Sequence, residues 1–417
     1  MNLRARTVVP VARPTIEDGV VCLQGHRIAW VGRRADVPAQ FAGPEHDLGE
    51  VILLPGLINA HCHLDYTGMA GQLSPPKHFV DWIKGIVALK SSWTTEEFAK
   101  SWRLGADMLL RTGTTTVADI EAVPGLIPSA WDATPLRVHS FRELLGIKHS
   151  ATAADLVSKA GLDLASMAGS ENRVGLSPHA TYTTSHELLD LAAQEAWRRR
   201  WRLTTHVSES EEEFEMFMYR NGPMFDWLKG QRDMSDCGRG SPVQHLERAG
   251  YLNENLIAVH VNYLWRHDAG ILGRGQVSVV HCPRSHEFFR HLRFPRQELE
   301  SAGVNICLGT DSLASVRTEK GHALELNLFD EMRSFLGRSP EVSPDAVLRM
   351  ATVNGARALG RAGQLGELTP GATADLIALP HNGSSAKAIE AIVNHQGDIR
   401  SSMINGRWVF GEHKTAR

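Results

Sequence analysis

The chain contains the stretch Val51-Ile-Leu-Leu-Pro-Gly-Leu-Ile-Asn-Ala-His-Cys-His63, in which a long apolar run ends in two histidines separated by one residue. Side chains alternate between the two faces of a strand, so His61 and His63 are expected on one side with their imidazoles close together. Neutral imidazole binds zinc, iron, copper or nickel, and a catalytic zinc takes about three protein ligands and a water. The pair therefore predicts half of a metal site.

Further along the chain, polar residues close other short apolar segments. Histidine ends Leu203-Thr-Thr-His206, Leu256-Ile-Ala-Val-His260 and Val277-Ser-Val-Val-His281, and aspartate ends Val304-Asn-Ile-Cys-Leu-Gly-Thr-Asp311. In a (β/α)8 barrel the C-terminal tips of the strands converge on one mouth, where active sites lie. Although a lone His-X-His arises easily by chance in a chain with 20 histidines, this recurrence predicts that the polar residues meet at such a mouth.

Strand-like and helical stretches alternate through the middle of the chain, as is typical of βα units with a parallel sheet. Capping boxes predict helix starts at Thr184–Glu187 and Thr94–Glu97, and further helices are expected over residues 320 to 336 and 343 to 359. The eight predicted strands, which is the number in such a barrel, lie near residues 52–60, 114–119, 135–141, 173–179, 202–207, 256–261, 277–281 and 304–310.

Both ends of the chain resemble strands of one small sheet domain, and Asn405-Gly406 between apolar runs is a strong hairpin signal. We therefore expect an α/β fold with a TIM-like (β/α)8 barrel over residues 55–355. A small β-sandwich domain would combine residues 1–54 and 356–417. The glycine-rich segment Gly360–Gly366 is interpreted as a turn, because its spacing does not fit a dinucleotide-binding loop and no strand precedes it.

Composition narrows the class of protein. The 417 residues are 42% hydrophobic and 22% charged, which is an ordinary globular composition and excludes a disordered or fibrous chain. A net charge of -3 gives no basic surface for nucleic acid or an anionic membrane, so a small molecule is the expected partner. Without an apolar run of about 18 residues or a signal-peptide core, the cytoplasm is the expected location. The oligomeric state, a homo-oligomer included, stays open.

Five sequence motifs carry a resemblance to the amidohydrolase superfamily. They are Pro55-Gly-Leu-Ile-Asn-Ala-His-Cys-His63, Gly175-Leu-Ser-Pro-His-Ala-Thr-Tyr-Thr183, Thr205-His-Val-Ser-Glu209, His281-Cys-Pro-Arg-Ser285 and Leu308-Gly-Thr-Asp-Ser312. With the stretch Gly366–Leu376, the resemblance covers essentially the whole chain. The spacing His206-X-X-Glu209 is similar to that of the mononuclear aminohydrolases, which include guanine, S-adenosylhomocysteine, methylthioadenosine and 6-aminodeoxyfutalosine deaminases.

The resemblance implies one divalent ion without a carboxylated lysine, held by His61, His63, His206 and Asp311. Zinc is the first expectation, and iron or manganese suits the same ligands. Such an ion lowers the pKa of a bound water toward roughly 7. Asp311 would then accept a proton from the water and His260 would orient it, while Glu209 would carry a proton to the ring nitrogen of the substrate.

Each role has a structural alternative. His206 and His260 could be strand-end histidines satisfied by the backbone, and Glu209 could begin a solvated helix start. Four further acidic residues are interpreted as surface charge: Glu211, Glu212, Glu213 and Glu215. The candidate substrate contacts are His179, Trp82, Arg142, Arg284 and Arg317. The roles of His281 and His286 stay open, since the family often has asparagine at the position of His286.

The favoured function is a metal-dependent hydrolytic deaminase of an aminopurine nucleoside. The motifs most resemble those of 6-aminodeoxyfutalosine deaminases, whose benzoate-bearing substrate would need a cationic contact. Deamination of S-adenosylhomocysteine, methylthioadenosine, adenosine or guanine is the alternative. A triazine- or imidazolone-type hydrolase would be distinguished by the absence of ammonia release from a purine, and a non-catalytic scaffold by the loss of metal ligands.

Overall fold

The computed structural model describes residues 1–147, 151–167, 173–318 and 323–411. In these residues the strands form two eight-stranded sheets. One sheet is built from both ends of the chain and the other is a parallel barrel, so the predicted α/β class, barrel and terminal sheet domain are confirmed. No helix in the described ranges is long and apolar enough to cross a membrane.

The terminal sheet is mostly antiparallel and follows the order β16-β15-β14-β5-β1-β2-β3, with β4 paired to β1. Its strands are β1 (Asn2–Val8), β2 (Ile16–Gln24), β3 (Arg27–Arg33), β4 (Glu45–Asp47), β5 (Val51–Pro55), β14 (Leu376–Pro380), β15 (Ser401–Ile404) and β16 (Arg407–Gly411). Buried apolar residues from both chain ends, among them Leu3, Val21, Leu53 and Leu376, share one cluster. The burial of that apolar surface holds the two ends of the chain together.

The barrel strands follow one another in chain order, each parallel to the next. They are β6 (Leu57–Cys62), β7 (Thr114–Glu121), β8 (Arg137–Leu144), β9 (Arg173–Pro178), β10 (Arg202–Val207), β11 (Leu256–His260), β12 (Ser278–His281) and β13 (Asn305–Leu308). The last strand meets the first through the Thr310 amide, which donates to the His61 carbonyl at 3.1 Å. The strand ends therefore converge as a closed barrel requires.

Helices surround the barrel and bury it on its outer face. They are α1 (Phe79–Ser91), α2 (Thr95–Arg111), α3 (Ile127–Asp132), α4 (Ala153–Ala165), α5 (His186–Arg199), α6 (Glu211–Tyr219), α7 (Gly222–Leu228), α8 (Pro242–Arg248), α9 (Asp268–Arg274), α10 (Pro283–Phe288), α11 (Arg296–Ser301), α12 (Leu328–Arg338), α13 (Pro344–Met350), α14 (Val353–Ala358) and α15 (Ala388–Val393). The barrel interior is packed by a separate apolar cluster that includes Ile58, Phe141 and Val259. The polar groups of the barrel therefore concentrate at its two ends.

The predicted first strand over residues 52–60 is in fact two strands in two sheets. β5 pairs with β1 and β14 in the terminal sheet, whereas β6 pairs with β7 in the barrel. The chain crosses between them at Gly56, where a Cβ atom would lie 2.1 Å from the Thr115 Oγ1. A continuous apolar run does not show this crossing, because strands buried on both faces lack polar alternation.

Helix boundaries differ from the sequence predictions in three places. The box predicted at Thr184–Glu187 is displaced by one residue, since Ser185 caps α5 and its side chain accepts from the Leu188 amide. The stretch 343 to 359 forms two helices that break at Thr352. Of the predicted helix 320 to 336, residues 320–322 lie outside the described ranges and the helix begins at Leu328. The box at Thr94–Glu97 forms as predicted.

Candidate metal centre

Four side chains from three barrel strands meet in one buried space at the C-terminal mouth of the barrel. The His61 Nε2 lies 3.3 Å from the His206 Nε2. The Asp311 Oδ1 lies 3.7 Å from the Nε2 atoms of both His61 and His63. Two ligands about 2.0–2.1 Å from one ion at a near-tetrahedral angle are about 3.3–3.4 Å apart, so these spacings fit a single divalent ion.

The close packing of the ends of β6 and β13 brings His61 and Asp311 together. A Cβ atom at Gly309 would lie 2.8 Å from the His61 carbonyl oxygen and 2.9 Å from its Cβ, so a larger residue would force the two strand ends apart. Asp311 and His260 both have a positive φ, of 54° and 73°. Residues other than glycine rarely adopt this backbone conformation, and where they do it often marks a functional site.

Hydrogen bonds orient the ligand atoms. The His206 Nδ1 donates to the His179 carbonyl at 2.7 Å, which leaves the lone pair of its Nε2 directed toward His61. The hydroxyls of Ser285 and Ser315 both donate to the Asp311 Oδ2, at 2.7 and 3.0 Å, and leave its Oδ1 to the histidines. The four residues are thus arranged so that they could hold a metal ion.

The electrostatics of the cluster also suit a cation. Burial first, and then the neighbouring His61, keep the pKa values of His63 and His206 well below the usual range, so their imidazoles are neutral and have a lone pair to donate. Burial alone would raise the pKa of Asp311, but the hydrogen bond from His61 and the electrostatic attraction of the surrounding imidazole groups outweigh it and lower that pKa. Neutral imidazoles and an ionised carboxylate are what a divalent ion binds.

Glu209 and His260 lie beside the four ligands. Their closest atoms, Oε1 and Nε2, are 3.5 Å apart, and both groups can reach one point together with Asp311. Burial first, and then the charge of Asp311, raise the pKa of Glu209 well above its usual value, while burial lowers the pKa of His260 to about 3. The site therefore combines a carboxyl that can hold a proton with a neutral imidazole.

Glu213 was expected on the surface and this prediction is wrong. The side chain is fully buried. Its carboxylate accepts from the Ser208 and Glu209 amides, at 2.9 and 2.8 Å, and from the Thr181 hydroxyl. Glu213 therefore fixes the turn that presents Glu209. Glu212 likewise accepts from the amides of Phe79 and Val80 at the start of α1, so half of the acidic run has structural partners.

His179 and Trp82 lie at the mouth of the barrel. The His179 ring is 5.0 Å from the His206 ring, and its Nδ1 is 2.8 Å from the Thr183 hydroxyl. The Trp82 indole nitrogen donates to the Ala314 carbonyl at 3.3 Å, in the loop that follows Asp311. Trp82 therefore connects helix α1 to the loop that presents a metal ligand.

The three arginines proposed as substrate contacts are directed elsewhere. Phe141 belongs to the barrel interior, so strand alternation places Arg142 on the outer face. The Arg284 guanidinium is buried and bonded to the Glu331 carboxylate, with Asp330 at 3.3 Å. Arg317 is exposed and donates to the Glu287 carbonyl. Position near a strand end suggested these residues, but the face on which a side chain lies decides what it contacts.

A lysine that the sequence patterns did not reveal lies close to the metal ligands. Lys90, in the last turn of α1, donates to the Tyr66 hydroxyl and lies 4.7 Å from the centre of its ring. The Tyr66 ring stacks on His63 with 5.2 Å between centroids. After burial, the Lys90 charge also lowers the pKa values of His63 and His179. Lys90 is therefore a cation at the mouth of the barrel.

The two histidines whose roles were left open have different surroundings. The His281 ring stacks on Phe294 with 4.0 Å between centroids, on the side of β12 that faces the helices. The His286 Nδ1 lies 3.0 Å from the Asn262 Oδ1, and the Asn262 amide donates to the Glu209 carbonyl at 2.8 Å. His286 is thus linked to Glu209 through Asn262, whereas His281 packs on the outer side of the barrel.

Comparison with known proteins agrees with this geometry. The model of the amidohydrolase family matches residues 52–409. A 5-methylthioadenosine/S-adenosylhomocysteine deaminase from Syntrophobacter fumaroxidans is 30% identical over 426 residues, which span 95% of this chain and 89% of that protein.

Two solved structures share the fold. An adenosine deaminase from Xanthomonas campestris with bound zinc gives a TM-score of 0.85 at 23% identity, over 100% of this chain and 94% of that one. The aminofutalosine deaminase of Helicobacter pylori, in complex with methylthio-coformycin, gives a TM-score of 0.86 at 20% identity, over 98% of this chain and 100% of that one. The family match covers most of the sequence, including the whole barrel, and the chain therefore belongs to the amidohydrolase family of hydrolases, as its motifs predicted.

Proposed function

We propose that this protein removes the amino group of an adenine nucleoside by hydrolysis. A divalent ion, zinc in the first place, would be held by His61, His63, His206 and Asp311. The observation that carries the proposal is the Glu209 carboxyl, buried beside the ligand cluster and 3.5 Å from His260. A deaminase needs a group at this place that can move a proton between water and a ring nitrogen.

The reaction requires activation of a water molecule and transfer of protons to the substrate. When bound, a divalent ion supplies Lewis-acid activation of water at neutral pH. Asp311 accepts a proton from the water through its Oδ1, while Ser285 and Ser315 hold the other carboxylate oxygen in place. The His260 Nε2 makes no hydrogen bond within the described protein and is available to orient the attacking oxygen.

Glu209 completes the proton transfers. Its carboxyl gives a proton to the ring nitrogen next to the amino-bearing carbon, which makes that carbon electrophilic, and a second proton reaches the departing amine. The oxygen of water replaces the amino nitrogen, so the products are a hypoxanthine-type ring and ammonia. The raised pKa of Glu209 supports this role, because a carboxyl with a pKa closer to neutrality both holds and releases a proton.

Two substrate classes are compatible with the site. The 30% identity to a methylthioadenosine and S-adenosylhomocysteine deaminase favours adenosines that are modified at the 5′ position. Lys90 beside Tyr66 favours a substrate with an anionic group, such as 6-aminodeoxyfutalosine, since the three arginines first considered for its carboxylate are directed elsewhere. Both are adenine nucleosides with an extension beyond the ribose.

A substrate panel tests the proposal. The zinc-loaded protein is incubated with adenosine, methylthioadenosine, S-adenosylhomocysteine, 6-aminodeoxyfutalosine and guanine, and ammonia release is measured with the absorbance change of the purine. We expect ammonia from at least one 5′-modified adenosine. Hydrolysis of a triazine or an imidazolone without any ammonia from the nucleosides would overturn the proposal, as would a complete lack of turnover by metal-replete protein.

A further inference from the structure

The end of the barrel opposite the metal centre carries an unusual concentration of positive charge. Three neighbouring strands begin with an arginine: Arg137 in β8, Arg173 in β9 and Arg202 in β10. Because parallel strands all begin at the same end of a barrel, these side chains occur on one rim. Arg137 forms a buried ion pair with Asp375 at 3.2 Å and so connects the barrel to the terminal sheet.

A cavity of about 510 Å³ opens at this rim. Five arginines line it, namely Arg173, Arg199, Arg200, Arg202 and Arg361, and its described lining includes no aspartate or glutamate. Arg199 is bonded to the Glu195 carboxylate. Among the described residues Arg173, Arg200 and Arg202 form no ion pair within 4.0 Å, whereas the neighbouring Arg198 and Arg199 both pair with Glu195.

A buried polar atom lines the same cavity. His139 is only 3% exposed, and within the described protein its Nε2 has no hydrogen-bond partner. Buried polar side-chain atoms nearly always have a partner, so an atom without one indicates a missing water or ligand. The orphan nitrogen and the surplus of arginines are two independent observations that point to the same missing anion.

The glycine-rich turn near the C-terminus forms part of this cavity. Gly360 has a φ of +68°, and a Cβ atom there would lie 2.5 Å from the Arg202 Nη2. The Arg202 guanidinium therefore packs against the backbone of the turn and also donates to the Glu254 carbonyl. Trp201 adds an aromatic wall, with the Arg199 guanidinium 4.9 Å from the centre of its ring. Arg202 and Arg199 are thus held in place beside the cavity.

We propose that this cavity is a second binding site, for a phosphate-bearing metabolite whose phosphates are held by Arg173, Arg200 and Arg202. Guanidinium groups recognise phosphate oxygens through paired, charge-assisted hydrogen bonds, and a ring of them favours a multiply charged anion. The His139 Nε2 supplies an additional hydrogen bond at the floor. Pyrophosphate is the smallest ligand with this chemistry, and the volume and Trp201 also suit a nucleoside triphosphate.

Calorimetric titration of the full-length, metal-loaded protein with pyrophosphate and with ATP tests the site. We expect saturable binding of one anion per chain. Arg173→Gln and Arg200→Gln should each weaken it at least about tenfold, because each removes charge-assisted hydrogen bonds. The matched control Arg274→Gln changes an arginine on α9 that is exposed and paired with Glu247, and it should bind like the unmodified chain.

The metal centre is the competing location for a phosphate, and a His206→Ala variant excludes it. Binding that persists in His206→Ala and weakens in the two arginine variants supports the cavity. Binding that disappears in His206→Ala but survives in the arginine variants overturns the proposal, as does the absence of saturable binding up to millimolar pyrophosphate and ATP. Tighter binding of ATP than of pyrophosphate, with quenching of tryptophan fluorescence that is lost in Trp201→Phe, supports the site and identifies a nucleotide as its ligand.

Discussion

The two ends of the barrel handle charge in opposite ways. At the C-terminal mouth, burial keeps the pKa values of His63 and His206 low, so these imidazoles are neutral and offer lone pairs beside the Asp311 carboxylate. At the N-terminal rim, arginines carry permanent positive charge and an anion is what the cavity lacks. Positive-φ backbone occurs at both ends, at Asp311 and His260 at the mouth and at Arg200 on the rim. The mouth therefore offers neutral donor atoms beside a carboxylate, whereas the rim offers fixed positive charge.

The largest effect is expected at the metal ligands. Replacing His206 with alanine should remove stoichiometric metal and lower turnover by more than about four orders of magnitude, because the attacking water then loses its activation. The matched control is His281→Gln, which changes another strand-end histidine that packs on Phe294 and faces the helices. Elemental analysis and ammonia release are measured on both. Full metal content in His206→Ala would show that the ion lies elsewhere.

The next effect concerns proton transfer. Glu209→Gln keeps the shape of the side chain but cannot exchange a proton, so we expect metal content to be unchanged and kcat to fall by roughly two to four orders of magnitude. The neighbouring Glu213→Gln serves as a control because Glu213 contacts only backbone amides and a hydroxyl in the turn. It should reduce thermal stability more than it reduces kcat. Equal kcat in Glu209→Gln and the unmodified chain would remove Glu209 from the mechanism.

A smaller effect is expected at the mouth where Lys90 lies. If Lys90 contacts an anionic group of the substrate, Lys90→Gln should lower kcat/KM for 6-aminodeoxyfutalosine by about tenfold to a hundredfold and leave methylthioadenosine within about threefold. Tyr66→Phe, which keeps the ring on His63 but removes the hydroxyl that Lys90 contacts, is the control. An equal loss for both nucleosides would instead assign Lys90 a role in supporting the ligand His63.

The sequence predicted which side chains meet at the mouth because strand ends and ligand chemistry leave a short-range pattern. His61, His206 and Asp311 each close an apolar run, and parallel strands bring such ends together. The sequence failed where the outcome depended on which side of an element a residue faces. Arg142 was placed at the mouth although strand alternation puts it outside the barrel, and Glu213 was placed on the surface although the turn before α6 buries it.

Two other features could not be predicted from the spacing of residues along the sequence. Lys90 lies on a helix, far from any strand end, and reaches the mouth only because α1 packs over it. The division of the run 52–60 between two sheets depends on the close approach of Gly56 to Thr115, a contact between residues remote in the chain. Sequence spacing therefore identifies side chains that can bind a metal. Tertiary packing determines which other side chains can contact the substrate.

The smallest effect is expected when a rim arginine is replaced and turnover at the mouth is measured without an anion. The apolar cluster that includes Ile58, Phe141 and Val259 fills the barrel between the rim and the mouth. Arg173→Gln should therefore leave kcat/KM for the best nucleoside within about twofold of the unmodified chain, since well-separated sites act independently. Steady-state kinetics with and without pyrophosphate measure this directly. If Arg173→Gln alone lowers kcat/KM tenfold while metal content and melting temperature stay constant, the rim acts on the mouth through the packed core, and the two ends are parts of one site in function.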